Sequence, residues 1–508
     1  MNRELNIDSI LALDEQIRVT QDPQEIIELK RTRNSLLNIA RIPPEILGHI
    51  FFHAKVTLGS YTFLHVSHYW HEVARHSPKL WNHWGTSLKD WKRSSRYTRA
   101  SAKVDLEFEE TYNYMDMGCF KKVETLRNTL RNLVMGDLIR KIHLASSKRK
   151  LLAIILSLWI PKDGRVRYNS VESISLRNCM LEPYGFFDHQ LFPRLRDLSL
   201  HCKDLSLVPL KKNTTTLVNL SLSNEDVPSA PAPTTSQIIS LLASNPNIRT
   251  LHLHLGLFKD DSESNPTDPV PLRYLESFSF NLWASDFYPI MSRLEFFGTV
   301  KSAELTLGNC TLETITHVIG PYLRNDLERV VSAGDRLVVR VAYDPRYISI
   351  TVRIDGAKTL GSERPRAQFY MRPSSQATPE QKRQMCIQAL AALPKEGITF
   401  LETNFLEIDE MPNLKSLCLD RVEVTDGFLL SQPDGSNAPK NLLPSLRRLH
   451  LSGATAKDSK WDPLIHYLSQ TDSRSVSLVI DGARVCLGVR NEIEPLVKSL
   501  KYEVVASG

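Results

Sequence analysis

From about residue 170 onward, apolar and polar residues alternate in short recurring blocks. The pattern Pro-x-[Leu/Ile]-x-x-Leu-x-Leu occurs four times: Pro193-x-Leu195-x-x-Leu198-x-Leu200, Pro246-x-Ile248-x-x-Leu251-x-Leu253, Pro412-x-Leu414-x-x-Leu417-x-Leu419 and Pro444-x-Leu446-x-x-Leu449-x-Leu451. Looser copies end at Leu176, Leu222, Phe280 and Leu307, and the ends from Leu176 to Leu307 lie 24, 22, 31, 27 and 27 residues apart. Proline cannot continue a helix and biases its predecessor to extended backbone, so each block predicts a short strand entered from a different element. The alternating leucines face one side of that strand and stack on their equivalents in neighbouring blocks. Ser236 is placed to cap a short helix carrying Ile238, Ile239, Leu241 and Leu242, which ends at Asn245-Pro246 and gives one helix and one strand per unit. Cys179 and Cys310 each fall three positions after the last Leu of a block, at a turn, and read as structural.

Other stretches follow the helical period. Ile10, Leu13 and Ile17 predict one helix, and Ile26, Leu29, Leu36 and Leu37 a second. Asp22 would cap the second, with Pro23 at its first position and Glu25 completing a capping-box-like start. This pair is expected to pack on the residues that follow, because it holds too few heptads for a coiled coil. Val104–Phe108 predicts a strand, and Leu151–Ile160 a buried helix. That apolar run is about half of the roughly 20 residues a membrane span needs. Between 330 and 400 the blocks stop. Leu337–Val341 and Ile348–Val352 predict a hairpin through Asp344-Pro345-Arg346. Thr378-Pro379-Glu380-Gln381 then starts a helix with a capping box, carrying Met385, Leu390 and Leu393 to a stop at Pro394. This region reads as an insertion or a pair of atypical repeats within one solenoid, with two separate solenoids as the alternative.

Residues 42–84 carry the densest signal. Pro43-Pro44-Glu45 presets a helix start with an acid in the first turn. Ile46, Leu47, Ile50 and Phe51 follow as one apolar face. A second helix offers Leu64, Val66, Trp70, Val73 and Ala74, and Ser77-Pro78 leads to Leu80-Trp81. A module of this size cannot bury all of that apolar surface alone, with Trp70 and Trp81 adding to the surplus, and unburied apolar surface marks an interface.

Together, the proline start, the Val-x-x-x-Trp spacing and the Pro-x-Leu-Trp ending resemble the F-box, the module that docks substrate receptors onto the Skp-family adaptor of cullin-based ubiquitin ligases. The blocks downstream, at a period near that of leucine-rich repeats, extend the likeness to a large fungal family of F-box proteins; Trp461–Leu468 resembles its closing segment. The implied fold is α/β: an N-terminal helical F-box module, then an irregular leucine-rich-repeat solenoid of short parallel strands alternating with helices and loops. The layout would be an N-terminal helical segment over 1–40, the F-box over 41–86, and a basic linker with the first strand and helix units over 87–169. Repeats would fill 170–330 and 401–508, flanking the atypical 331–400. By this resemblance Ile42, Pro43, Pro44, Ile46, Leu47, Ile50, Phe51, Leu64, Val66, Trp70, Leu80 and Trp81 would contact or shape the adaptor surface. The chain departs from the family pattern at Ser67-His68-Tyr69, ahead of the second-helix Trp. Side chains between the repeat leucines would face a concave, target-binding side, among them Arg177, Asp197, His201, His252, His254, Asn281, Glu304, Asp420, Arg448 and His450. The implied partners are the adaptor, through it a cullin, and a protein substrate. The rival readings are a repeat scaffold without ligase activity and, further off, an RNA- or phosphate-binding protein.

Composition adjusts this reading only slightly. Hydrophobic residues make up 42% and charged residues 24% of the chain, as in soluble globular proteins. A formal charge of +6 over 508 residues is too mild and too dispersed to favour a nucleic-acid partner. The basic, aromatic-interleaved stretch 90–99 and Lys148-Arg149-Lys150 read as solvated helix ends. The acidic N-terminus is no signal peptide, and no membrane partner is expected. Seven scattered cysteines lack any Cys-x-x-Cys pair, which argues against zinc fingers and a disulfide framework and suits the cytosol or nucleus. Seven of the fifteen histidines fall between 49 and 83, with His49 and His53 one helical turn apart, but no Glu sits between those two in a His-Glu-x-x-His arrangement. No nucleophile elbow, P-loop or dinucleotide fingerprint occurs, so no enzyme, metal or cofactor is expected.

Overall fold

The computed structural model describes residues 4–37, 42–58, 61–84, 88–98, 102–110, 137–146, 168–180, 192–204, 216–224, 233–255, 269–296, 300–314, 327–328, 331–332, 336–344, 346–355, 367–405, 408, 410–424, 430–431, 440–456, 461–470, 476–481 and 487–503. The apolar run at 151–160 and the basic triplet before it lie outside those residues. The protein is mixed α/β, with mostly parallel strands, and divides into two compact units, Met1–Leu217 and Val218–Gly508.

The first unit opens with α1 (Glu4–Val19) and α2 (Pro23–Leu36), packed on each other and tied by Arg33 Nε to Asp14 Oδ1 at 2.5 Å. Asp22 caps α2 by accepting from the Gln24 N–H at 2.9 Å, so the bond goes to the second helical residue's backbone rather than into a box with Glu25. No residue of α2 is buried, and Leu11, Val19 and Ile27 remain exposed, so the expected burial of this pair against its neighbours is not seen.

A cluster of short helices follows: α3 (Pro44–Leu58), a 3-10 turn (Thr62–His65), α4 (His68–Arg75) and α5 (Pro78–Asn82). Ser67 caps α4 by accepting from the Trp70 N–H, so Val66 lies in the turn ahead of the helix, not on its face. Leu47, Phe51, Tyr61, Phe63, Val73, Ala74, Leu80 and Trp81 form the interior. Gly48 lets α3 approach the α4–α5 corner: a Cβ there would lie 3.0 Å from Ser77 Oγ.

From this cluster the chain runs into β1 (His83–Trp84), then α6 (Leu88–Tyr97) and β2 (Val104–Glu110). β1 pairs in parallel with β2, which continues to β3 (Ile139–Ser146), β4 (Ser173–Met180) and β5 (Asp197–Asp204), all parallel. Leu144, Leu176 and Leu200 stand in register and are buried.

In the second unit, β6 (Asn219–Ser223), β7 (Thr250–His254), β8 (Ser277–Trp283) and β9 (Ser302–Cys310) form a parallel ladder. Before β7 lies α7 (Thr235–Ala243), which buries Ile238, Ile239, Leu241 and Leu242 as expected. Its cap is Thr234, not Ser236, because Thr234 and Gln237 close a full capping box. Phe280 pairs with Leu305 and not with Leu307. Positions 303, 305 and 307 are all apolar, so a period of two could not by itself choose between the two registers.

The interval 331–400 belongs to the same ladder. β10 (Arg336–Asp344) and β11 (Tyr347–Asp355) make the expected antiparallel hairpin, and β12 (Ala367–Pro373) adds antiparallel to β11. β12 also pairs parallel to β9, and β10 pairs parallel to β13 (Ile398–Thr403). The lateral order is therefore β9–β12–β11–β10–β13: three strands laid in reverse, with β11 inverted. α8 (Ala284–Met291) follows β8, and α9 (Pro379–Ala391) starts at the Thr378/Gln381 box and buries Met385 and Leu390. The parallel ladder resumes through β14 (Ser416–Asp420), β15 (Arg448–Ser452), β16 (Ser477–Asp481) and β17 (Ser499–Glu503). Across it Leu401, Leu417, Leu449, Leu478 and Leu500 stand in one row. α10 (Asp462–Gln470) packs behind with Leu464, Tyr467 and Leu468 buried. No helix among the described residues is long and apolar enough to cross a membrane.

Candidate functional site

In the helical cluster, the apolar face read from sequence splits in two. Leu47 and Phe51, one turn apart, point inward; Phe51 stacks on Phe63 with centroids 4.7 Å apart and meets Trp70 at 5.1 Å. Leu80 and Trp81 are also buried, and Trp81 Nε1 donates to Ala74 O at 2.5 Å. Ile42, Leu64 and Trp70 are half-buried against this core. Tyr69 Oη donates to Ile42 O at 2.9 Å, fixing the entry to α3. Pro43 and Pro44 lie exposed, and so do Ile46 at 52%, Ile50 at 46% and Val66 at 51%. Of the twelve residues expected to build an adaptor surface, then, Leu47, Phe51, Leu80 and Trp81 can act only from inside. The expected tryptophan surplus is corrected for Trp81, which is internal, whereas Trp70 stays half-buried; the exposed large apolar residues of the module are aliphatic.

The structure adds a residue that sequence reading missed. Lys55, on α3, is buried, and its Nζ donates to Leu80 O at 2.6 Å, to His83 O and to Ser94 Oγ at 3.0 Å. It lies 5.6 Å from the Trp81 ring centre. One ammonium thus satisfies carbonyls at the end of α5 and joins α3, α5 and α6, where an unpaired buried carbonyl would be costly. Tyr97 stacks on Trp81 at 4.4 Å, Arg93 lies 4.3 Å from the Tyr61 ring centre, and Ser94 is buried. The basic stretch read as a solvated end is therefore partly packed, and α6 belongs with the cluster rather than with a linker beginning at 87.

No group of three or more His, Cys, Asp or Glu among the described residues could hold an ion. His83 Nε2 meets Glu107 Oε2 at 2.9 Å, and that hydrogen bond holds the Glu107 carboxyl below its ordinary range against the opposing effect of burial.

On the strands, the residues between leucines share one face, as a period of two requires. Arg177 stands beside His201 on β4 and β5, with Asp197 four residues earlier on β5. In the second unit His254 Nε2 is 3.2 Å from Ser279 Oγ, which reaches Glu304 Oε2 at 3.4 Å. Asn281 pairs across to His254, and the His252 ring lies 6.5 Å from that of His254. Burial, then the His254 charge, push the His252 imidazole down. A second group spans β14–β16: Cys418 Sγ lies 3.6 Å from His450 Nδ1, and His450 Nε2 lies 2.5 Å from Asp481 Oδ2. Asp420 and Arg448 occupy flanking positions on β14 and β15. This order of groups resembles a nucleophile with its base, but burial first, then Glu402 and Asp420, push the Cys418 thiol up to about 11. That shift favours the protonated thiol, and the three groups form a hydrogen-bonded chain. Cys310, the turn cysteine, is buried as expected, its thiol raised to about 12 by burial. The side chain of Cys179 lies outside the described residues.

The candidate residues thus form separate polar groups along the strands. No protein-family model and no curated protein matches the chain.

Proposed function

We propose that the chain is the substrate-recognition subunit of a Skp–cullin-type ubiquitin ligase, in which 42–98 is an F-box module docking the Skp-family adaptor and the later strands form a leucine-rich-repeat solenoid that binds a protein target. It acts without catalysis of its own, in the cytosol or nucleus. The observation carrying this reading is the divided helix α3. Leu47 and Phe51 take part in the core, while Ile46, Ile50 and, from the turn ahead of α4, Val66 are left outward. Exposed aliphatics on an otherwise satisfied module suit a docking face. The polar row between the ladder leucines supplies a long hydrogen-bonding surface of the kind stacked repeats offer.

The test is co-expression of the full chain with a Skp-family adaptor. A stable one-to-one complex is expected, and Ile46→Glu with Ile50→Glu should abolish it while leaving the circular dichroism unchanged, since central anchors cost roughly 2 kcal/mol or more each. Trp70→Ala is less informative, because Trp70 also packs on Phe51. A chain that stays uncomplexed at saturating adaptor would favour the scaffold without ligase activity.

A further inference from the structure

Five parallel strands, β6, β7, β8, β9 and β12, end side by side in the second unit, and their carboxyl ends enclose an open cavity of about 420 Å³. Ligands of open α/β sheets bind at the carboxyl ends of strands, and single-ligand pockets commonly measure about 300–1,000 Å³.

The chemistry of the lining is one-sided. Asn224, His254, Asn281 and Asn309 contribute amides and an imidazole, Arg372 a guanidinium and Trp283 an indole. None of the described lining residues is Asp or Glu. Arg372 is exposed and, among the described residues, has no carboxylate within ion-pair distance. Glu304, two residues before the lining Thr306, is engaged by Ser279 instead.

The backbone is also shaped here. The β9–β12 register shifts between Leu307 and Cys310, and Asn309 adopts φ 55, in the left-handed region. Bulges of this kind re-aim side chains beside functional sites. A Cβ on Gly308 would stand 3.3 Å from the Trp283 ring, so glycine lets the indole lie close against the turn. Trp283 keeps 38% of its surface exposed. A large aromatic left in the open beside a guanidinium offers a platform and an anion contact together.

We infer that this cavity is the specificity pocket of the target-binding surface, taking an anionic side chain of a protein partner: Arg372 and the amides hold its oxygens, and Trp283 covers its apolar part. The shared chemistry is an oxyanion on a short apolar stem, phosphorylated or carboxylic. The inference rests on the recognition role proposed above and names what is recognised.

Calorimetric titration of the full chain with phenyl phosphate and, separately, benzoate tests it. Saturable binding of at least one is expected, weakened about tenfold or more by Arg372→Gln, as expected for loss of a charge-assisted contact, and unchanged by Arg353→Gln, an exposed arginine on β11. Tighter phenyl phosphate would mark a phosphorylated side chain, and tighter benzoate an acidic one. Absence of saturable binding by both probes, or equal weakening by the two variants, would overturn the inference. Because Arg372 is remote in sequence from the F-box-like module, R372Q should still form the adaptor complex. Failed anion binding with an intact complex therefore removes only this pocket, and the converse result removes only the ligase reading.

Discussion

In the helical cluster the aromatic rings turn inward, Phe51 on Phe63 and Trp81 on Tyr97, while Ile46, Ile50 and Val66 face out. In the ladder of the second unit the aliphatics are the interior, Leu417 beside Leu449 beside Leu478, and the outward row is polar. The two regions thus differ in what their outer faces carry. A strand in a stacked ladder has one buried face by geometry, so every second residue must be apolar. A short helical cluster closes its core with a few large rings, and further aliphatics are then surplus. The outward apolar residues are aliphatic in the helical cluster, whereas in the second unit they are the aromatics Tyr274, Trp283 and Tyr347.

The largest expected effect is on the inward rings. Trp81→Ala should cost about 3–5 kcal/mol, the usual range for emptying a buried aromatic site, read by chemical denaturation. The outward Ile50→Glu should stay within about 0.5 kcal/mol; equal losses for both would erase the distinction between core and docking face. Next comes Lys55→Met, which leaves the Leu80 and His83 carbonyls without their donor and should cost about 1–3 kcal/mol. If its cost were nil, α6 would not be part of the cluster. In the ladder, Gly453 turns the chain after β15 at φ 57, so Gly453→Ala should cost about 1–2 kcal/mol, the penalty of a left-handed non-glycine residue. The smallest effect concerns Glu107. Its folded carboxyl titrates below its ordinary value of 4.5, so the bond to His83 stabilises fully above that pH and is lost as pH falls through the depressed value. Glu107→Gln should remove that contribution at neutral pH and flatten the acid side of a pH–stability curve in that window.

Much of this was legible before folding. The blocks at 193–200, 246–253, 412–419 and 444–451 each became a strand, and the hairpin around Asp344 and the helix begun by Thr378 also formed. β3, β16 and β17 lack the Pro-x-Leu entry and went unread, although Leu144, Leu478 and Leu500 align with the readable ones. A strand without its turn signal is visible only through the neighbour it pairs with. The pocket was half legible: His254 and Asn281 stood out as polar residues between leucines. Arg372 and Trp283 did not, because one lay in the atypical interval and the other past a strand's last expected residue.

The sequence by itself determined the local choices: where helices start, which residues alternate, and which blocks are equivalent, since caps, prolines and periodicity act within a few residues. Only the tertiary structure decided which half of the α3 face is core, that β9 neighbours β12 before β10, and that Lys55 would sit among carbonyls. Those outcomes depend on which surfaces meet across tens of residues, and an apolar position or a charge looks the same in sequence whichever partner it finds.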